Sequence, residues 1–103
     1  MATAIIERDG AFHFHVKGEM TFATAKQLLK QSEDFFFQSQ DIEIDLSQVT
    51  GADSAGLALL LEWKARATQQ GVQIVINEIP EGVMSIAHLC QIEPLLQDLT
   101  SKN

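Results

Sequence analysis

The sequence predicts an α/β domain built on a mixed four-stranded β-sheet with helices packed mainly on one face, in the order β-β-α-β-α-β-α. Apolar and polar residues alternate with period two in four short segments, apolar residues recur at helical spacing between them, and turn residues stand at the junctions. Strands separated by helices in the second half require crossover connections, and so a sheet that is parallel in part.

The opening Ile5, Ile6, Glu7, Arg8 and the segment Phe12, His13, Phe14, His15, Val16 flank Asp9-Gly10, which predicts two strands joined by a tight turn. Phe12, Phe14 and Val16 share one face and His13 and His15 the other. After Gly18-Glu19, Thr21 or Thr24 caps a helix over TFATAKQLLKQSEDFFFQ, with Phe22, Ala25, Leu28, Leu29, Ser32, Phe35 and Phe36 on its apolar side. Phe37 falls outside that stripe and is expected to cover a sheet edge.

Ile42, Ile44 and Leu46 alternate with Glu43 and Asp45 in a strand expected to end at the polar loop SQVTGAD. A second helix begins at Asp53 or Ser54, runs through SAGLALLLEWKARATQQ, and stops at Gly71, the residue type favoured just past a helix end. VQIVINEI reads as the last strand. Pro80 opens a helix over PEGVMSIAHLCQ, Pro94 ends it, and the tail has room for one more turn.

With 103 residues, 46% of them hydrophobic and 20% charged, the chain (residues 1–103) reads as a single globular domain. Seven Lys and Arg against 14 Asp and Glu give a formal charge of −7. The basic residues are scattered, which argues against nucleic acid. The lone Cys90 fits a reducing, cytoplasmic setting and is expected on the buried face of its helix with Val83, Ile86 and Ala87. The N-terminus has no basic stretch before its apolar residues, so no signal peptide is expected. The longest uncharged apolar run, Ala55 to Leu61, is far below the ~18 residues of a membrane span, so direct membrane insertion is not expected either.

Chemistry is sparse. There is no GxSxG elbow, phosphate-binding glycine loop or dinucleotide fingerprint. His13 and His15 lack a third metal ligand at suitable spacing, and His88 is expected at the surface. Neither catalytic residue, metal nor cofactor is expected, and the chain reads as a binding module rather than an enzyme.

The informative stretch is IEIDLSQVTGADSAGLALLL, which delivers Ser54 to a helix N-terminus. Either Asp53 or Ser54 serves simply as an N-cap, or Ser54 is an exposed switch whose phosphate would be held by helix N–H groups and dipole, with Ala55 and Gly56 leaving room for a partner's backbone. Further along, Leu57, Ala58, Leu61 and Ala65 share a face and Glu62, Arg66 and Gln69 mark the wet side. Leu59 and Trp63, four residues apart beside that wet side, either complete the core or form a docking surface. Asp53, Ser54, Ala55, Gly56, Leu59 and Trp63 are thus the candidate partner-binding residues.

The strand IEIDLS, the turn Ala52-Asp53-Ser54-Ala55-Gly56, the run Leu57 to Leu61, Gly71 before VQIVI, and upstream Gly18-Glu19-Met20-Thr21-Phe22 together resemble the STAS domain family over nearly the whole chain. The combination of GEMTF with DSAGLALLL is most similar to the small cytoplasmic STAS subunits of Mla-type phospholipid ABC transporters. That resemblance implies an accessory subunit contacting the transporter's ATPase, and with it the membrane permease, near Ser54, and held at the inner membrane through that partner. A related branch, the anti-sigma-factor antagonists, implies instead a regulator whose serine matching Ser54 is phosphorylated by an anti-sigma-factor kinase. That branch often has a second hydroxyl residue where this chain has Ala55.

Overall fold

The computed structural model describes residues 3–33 and 41–100. Asp34 and the Phe35-Phe36-Phe37 run lie outside the described residues. The elements are β1 (Ala4–Arg8), β2 (His13–Met20), α1 (Ala25–Ser32), β3 (Ile42–Ala52), α2 (Ser54–Gln70), β4 (Ile74–Asn77), α3 (Glu81–Leu89) and α4 (Glu93–Thr100). In the sheet the strands lie in the order β1-β2-β3-β4. β1 pairs antiparallel with β2, while β2 with β3 and β3 with β4 are parallel, as the α1 and α2 crossovers require.

Period-two alternation assigns the two faces of the sheet. Phe14, Val16, Ile42, Ile44, Leu46, Ile74 and Ile76 are buried on one face against Leu28, Leu60, Trp63, Val83, Ala87, Leu96 and Leu99 of the helices. Glu7, His13, His15, Lys17, Glu43, Asp45 and Asn77 project from the other.

Several local expectations are corrected. β1 and β2 are joined by four residues rather than a two-residue turn, because the glycines at positive φ among the described residues are Gly18 and Gly71, and Gly10 does not supply the conformation such a turn needs. Phe12 lies in that connection and is partly exposed rather than on the core face of β2. β3 continues through SQVTGA, since Gln48, Val49, Gly51 and Ala52 pair with Lys17 to Met20 across two register irregularities. α1 starts only at Ala25, which leaves Phe22 outside the helix and 87% exposed. Thr24 does occupy the N-cap position, but its hydroxyl accepts from the Thr21 N–H and donates to the Glu19 carbonyl, pinning the connection instead of the helix.

Pro94 starts a helix rather than ending one, since α4 occupies the tail and a proline is tolerated in a first turn. α3 ends at Leu89, and Gln91 takes a left-handed φ of 60° while the Ile92 N–H returns to the Ala87 carbonyl. The turn carries Cys90 outward, so the thiol expected in the core is exposed. Gly71 closes α2 in the same manner, as expected, with φ 70°.

Trp63 is fully buried, and its indole N–H donates to the Ser32 hydroxyl at 2.7 Å, which in turn donates to the Leu29 carbonyl at 2.7 Å. A buried indole N–H needs such a partner. Replacing Ser32 with Ala is therefore expected to cost about 1–3 kcal/mol by orphaning that donor, and Trp63→Ala about 3–5 kcal/mol by opening a cavity. Urea unfolding with a conserved slope measures both, and a Ser32→Ala variant as stable as the parent would contradict the assignment.

Candidate functional site

The start of α2 is set by Asp53. Its extended backbone leaves the helix, one carboxylate oxygen accepts from the Ala55 N–H at 2.9 Å, and the other accepts from the Phe22 N–H at 3.1 Å. One side chain thus caps α2 and holds the segment leading into α1. The Asp53 N–H itself donates to the Met20 carbonyl at 3.3 Å, and its carbonyl accepts from Gly56 and Leu57.

Ser54 follows as the first helical residue and is exposed, whereas Ala55 is half-buried. Gly56 is buried. A Cβ at that position would stand 2.6 Å from the Met20 carbonyl oxygen, so the helix meets β2 backbone to backbone. The space expected there for a partner is filled by the protein itself.

Leu59 and Trp63 are also inside, 4% and 0% exposed, and are corrected from docking residues to core residues. Their burial against the sheet and α1 turns the opposite side of α2 outward. Ser54, Ala58 and Ala65 are exposed there, with Leu61 half-buried among them. At roughly 100° per residue these four fall on one stripe. Leu61, Ala65 and Thr68 continue into a shallow, largely apolar trough with Lys64 and with Leu95 of α4, itself 42% exposed. Phe22 stands beside the Ser54 end, tied there through Asp53.

The sequence groups Ala58, Leu61 and Ala65 on one face with Leu57, but α2 is apolar nearly all round, so periodicity does not tell which way that face turns; Leu57 is buried at its inner edge while Ala58 and Ala65 are exposed. The signal that was present is Gly56, the one side-chain-free position on the first turns of α2.

The electrostatics at the helix start are simple. Asp53 is the charged residue there, with neither acid nor base in the first turn of α2. Because Asp53 already engages the N–H groups of Ala55, Gly56 and Leu57, a phosphate on Ser54 would not find those donors open, contrary to the cradle expected from a bare helix end. It would stand in solvent next to a carboxylate. Among the described residues no group of three or more His, Cys, Asp or Glu is arranged to hold a metal ion. His88 is exposed and pairs through Nδ1 with the Glu93 carboxylate at the α3–α4 junction, which holds that carboxyl below its ordinary range.

The family model described as "Mlab, STAS domain" matches residues 4–97. Among solved structures, the anti-sigma factor antagonist SpoIIAA in its unphosphorylated form matches with a TM-score of 0.62 at 17% identity, over 90% of this chain and 84% of that one. At that identity the likeness is one of fold. The crystal structure of Mglu matches with a TM-score of 0.58 at 26% identity, over 75% of this chain but 19% of that one, so the likeness there is to one part of a longer chain.

Two substitutions probe the junction. Gly56→Ala is expected to force α2 off β2 and to lower stability by about 1–3 kcal/mol, even though alanine is the better helix former. Asp53→Ala is expected to cost about 1–2 kcal/mol and to speed amide exchange at both Ala55 and Phe22. Exchange unaltered at Phe22 would show that the second carboxylate contact is not formed.

Proposed function

Because this chain belongs to the MlaB-type STAS domain family, we propose that it is a non-catalytic accessory subunit that docks on the ATPase of an ABC-type phospholipid transporter. The observation that carries the reading is the outward stripe Ser54, Ala58, Leu61 and Ala65, flanked by the exposed Phe22. A helix that carries an apolar stripe on its solvent side, beside the Glu62–Arg66 ion pair, as well as an apolar core side is suited to lie against another protein. Small residues on that stripe allow close approach, the Ser54 hydroxyl supplies a hydrogen bond, and Phe22 supplies an aromatic anchor at the rim. None of the described helices is long and apolar enough to cross a membrane, so the subunit would reach the inner membrane, in the cytoplasm, through the ATPase and its permease.

The exposed hydroxyl of Ser54 favours a second reading on the same surface, an anti-sigma-factor antagonist released from its kinase when Ser54 is phosphorylated. Phosphate would add about two negative charges beside Asp53 and oppose an acidic or apolar partner surface.

A pull-down from the native cells, with bound proteins and the Ser54 modification state read by mass spectrometry, separates the two. Recovery of an ABC ATPase and permease on unmodified Ser54 supports the transporter subunit. Recovery of a kinase-like partner that excludes phosphorylated Ser54 supports the switch. In either case Ala58→Glu and Ser54→Asp are expected to weaken binding at least tenfold, about 1.4 kcal/mol, with the folded spectrum unchanged. Unaltered affinity in the combined Ala58→Glu, Ala65→Glu variant would displace the interface from α2.

A further inference from the structure

The face of the sheet turned away from the helices carries an arrangement the docking surface does not use. A single row crosses all four strands: Glu7 of β1 opposite His15 of β2, His15 opposite Asp45 of β3, and Asp45 opposite Asn77 of β4. The His15 side chain is only 12% exposed, and its ring sits between two carboxylates, with Nδ1 2.5 Å from Asp9 Oδ2 and Nε2 2.9 Å from Glu7 Oε1. A neutral imidazole has one N–H and can donate to one of them. Only the imidazolium donates to both. We propose that Glu7, Asp9 and His15 form a proton-operated clasp on the β1–β2 hairpin, closed when His15 is charged and released when it is neutral.

The surroundings strengthen the dependence on that proton. Lys17 on β2 pairs with Glu7 Oε1 at 2.9 Å. His13 on β2 lies 3.5 Å from Asp9 Oδ2 and 3.6 Å from Glu43 Oε2 of β3, and Asn77 of β4 donates to Glu43 Oε2 at 2.5 Å. Arg8, at the end of β1, is placed over the Phe14 ring at 5.3 Å. Among the described residues, the four carboxylates Glu7, Asp9, Glu43 and Asp45 therefore share this face with Lys17 and the two imidazoles of His13 and His15. Loss of the His15 charge leaves Glu7 and Asp9 facing one another and Asp45 with less opposing charge.

The Asp9 carboxylate, with Glu7 adding, raises the His15 imidazole above its ordinary value against the desolvation of a mostly covered ring. A raised folded value means that the clasp contributes fully below about pH 6.5 and is lost as pH climbs through the folded value. Glu7 is held below the usual carboxylate range by Lys17 first and then by His15, so its contribution persists well into mildly acidic solution. What the clasp holds is an edge strand: the outer rim of β1 is tied to α1 by the Ile6 N–H donating to Gln31 Oε1 and by Gln27 Nε2 donating to the Ala4 carbonyl. Opening the hairpin loosens the strand on which α1 rests.

The test is an NMR titration of the whole chain, following the His15 ring against His13 and His88 together with amide protection factors along β1, corrected for intrinsic exchange. Between pH 6 and 8.5 the β1 protection factors are expected to fall about tenfold with the midpoint of the His15 titration. In His15→Gln they should stay at the high-pH level throughout, while His13→Gln should keep the full pH dependence. Glu7→Gln with Asp9→Asn should return the His15 midpoint toward about 6.5. Wild-type β1 protection that does not change with pH, or a fall that persists in His15→Gln, overturns the clasp. The wild-type titration decides alone if a variant does not fold.

Discussion

At Gly56 the backbone of α2 comes so near the Met20 carbonyl that no Cβ fits between them, and this close approach fixes how the helix is rotated about its own axis. Leu60, Trp63 and Ala67 lie on the same side as Gly56 and are driven inward, each 1% exposed or less. The opposite side is then determined: Ser54, Ala58, Leu61 and Ala65. Asp53 reinforces the rotation by capping the helix and reaching back to the Phe22 amide. The outward stripe is thus a consequence of a glycine that does not lie on it.

Strands and helices were legible because the alternation in Ile42-Glu43-Ile44-Asp45-Leu46 and the Gly71 stop each have a local cause. What the local pattern does not show has causes elsewhere in the chain. Trp63 is a core residue because Ser32, far upstream, receives its N–H. Phe22 is exposed because Asp53 and Thr24 hold its segment out of helical conformation. SQVTGA has turn composition, yet it is strand because Lys17 to Met20 lie alongside to pair with it. Gln91 performs the same left-handed stop as Gly71 without the residue type that would announce it. Of the candidate site, Asp53 as cap and Ser54 as exposed hydroxyl could be read from the motif. The inner face of α2 could not, since apolar residues surround it.

β2 joins the start of α2 to the open face of the sheet. Its last residue, Met20, receives α2, and His15 near its start receives the Glu7 and Asp9 carboxylates. The faces are chemically opposed. The helix stripe is small and apolar with few charges, whereas the open sheet face is crowded with carboxylates that would have to be desolvated or paired by any partner covering it.

That contrast decides where a protein partner can lie at least cost. Burying the α2 stripe removes apolar atoms from water, and the charges at its edges, Asp53 and Lys64, already have partners within the protein, so the balance favours burial under the ordinary hydrophobic effect. Burying the open sheet face would displace water from Glu7, Asp9, Glu43 and Asp45 and would need cationic groups placed against each. The same acidity, −7 over the chain, opposes adsorption to anionic lipid headgroups. A module with this charge distribution reaches a membrane most readily by resting the apolar stripe of α2 on a protein already there, which is the arrangement proposed for Ser54 and its neighbours.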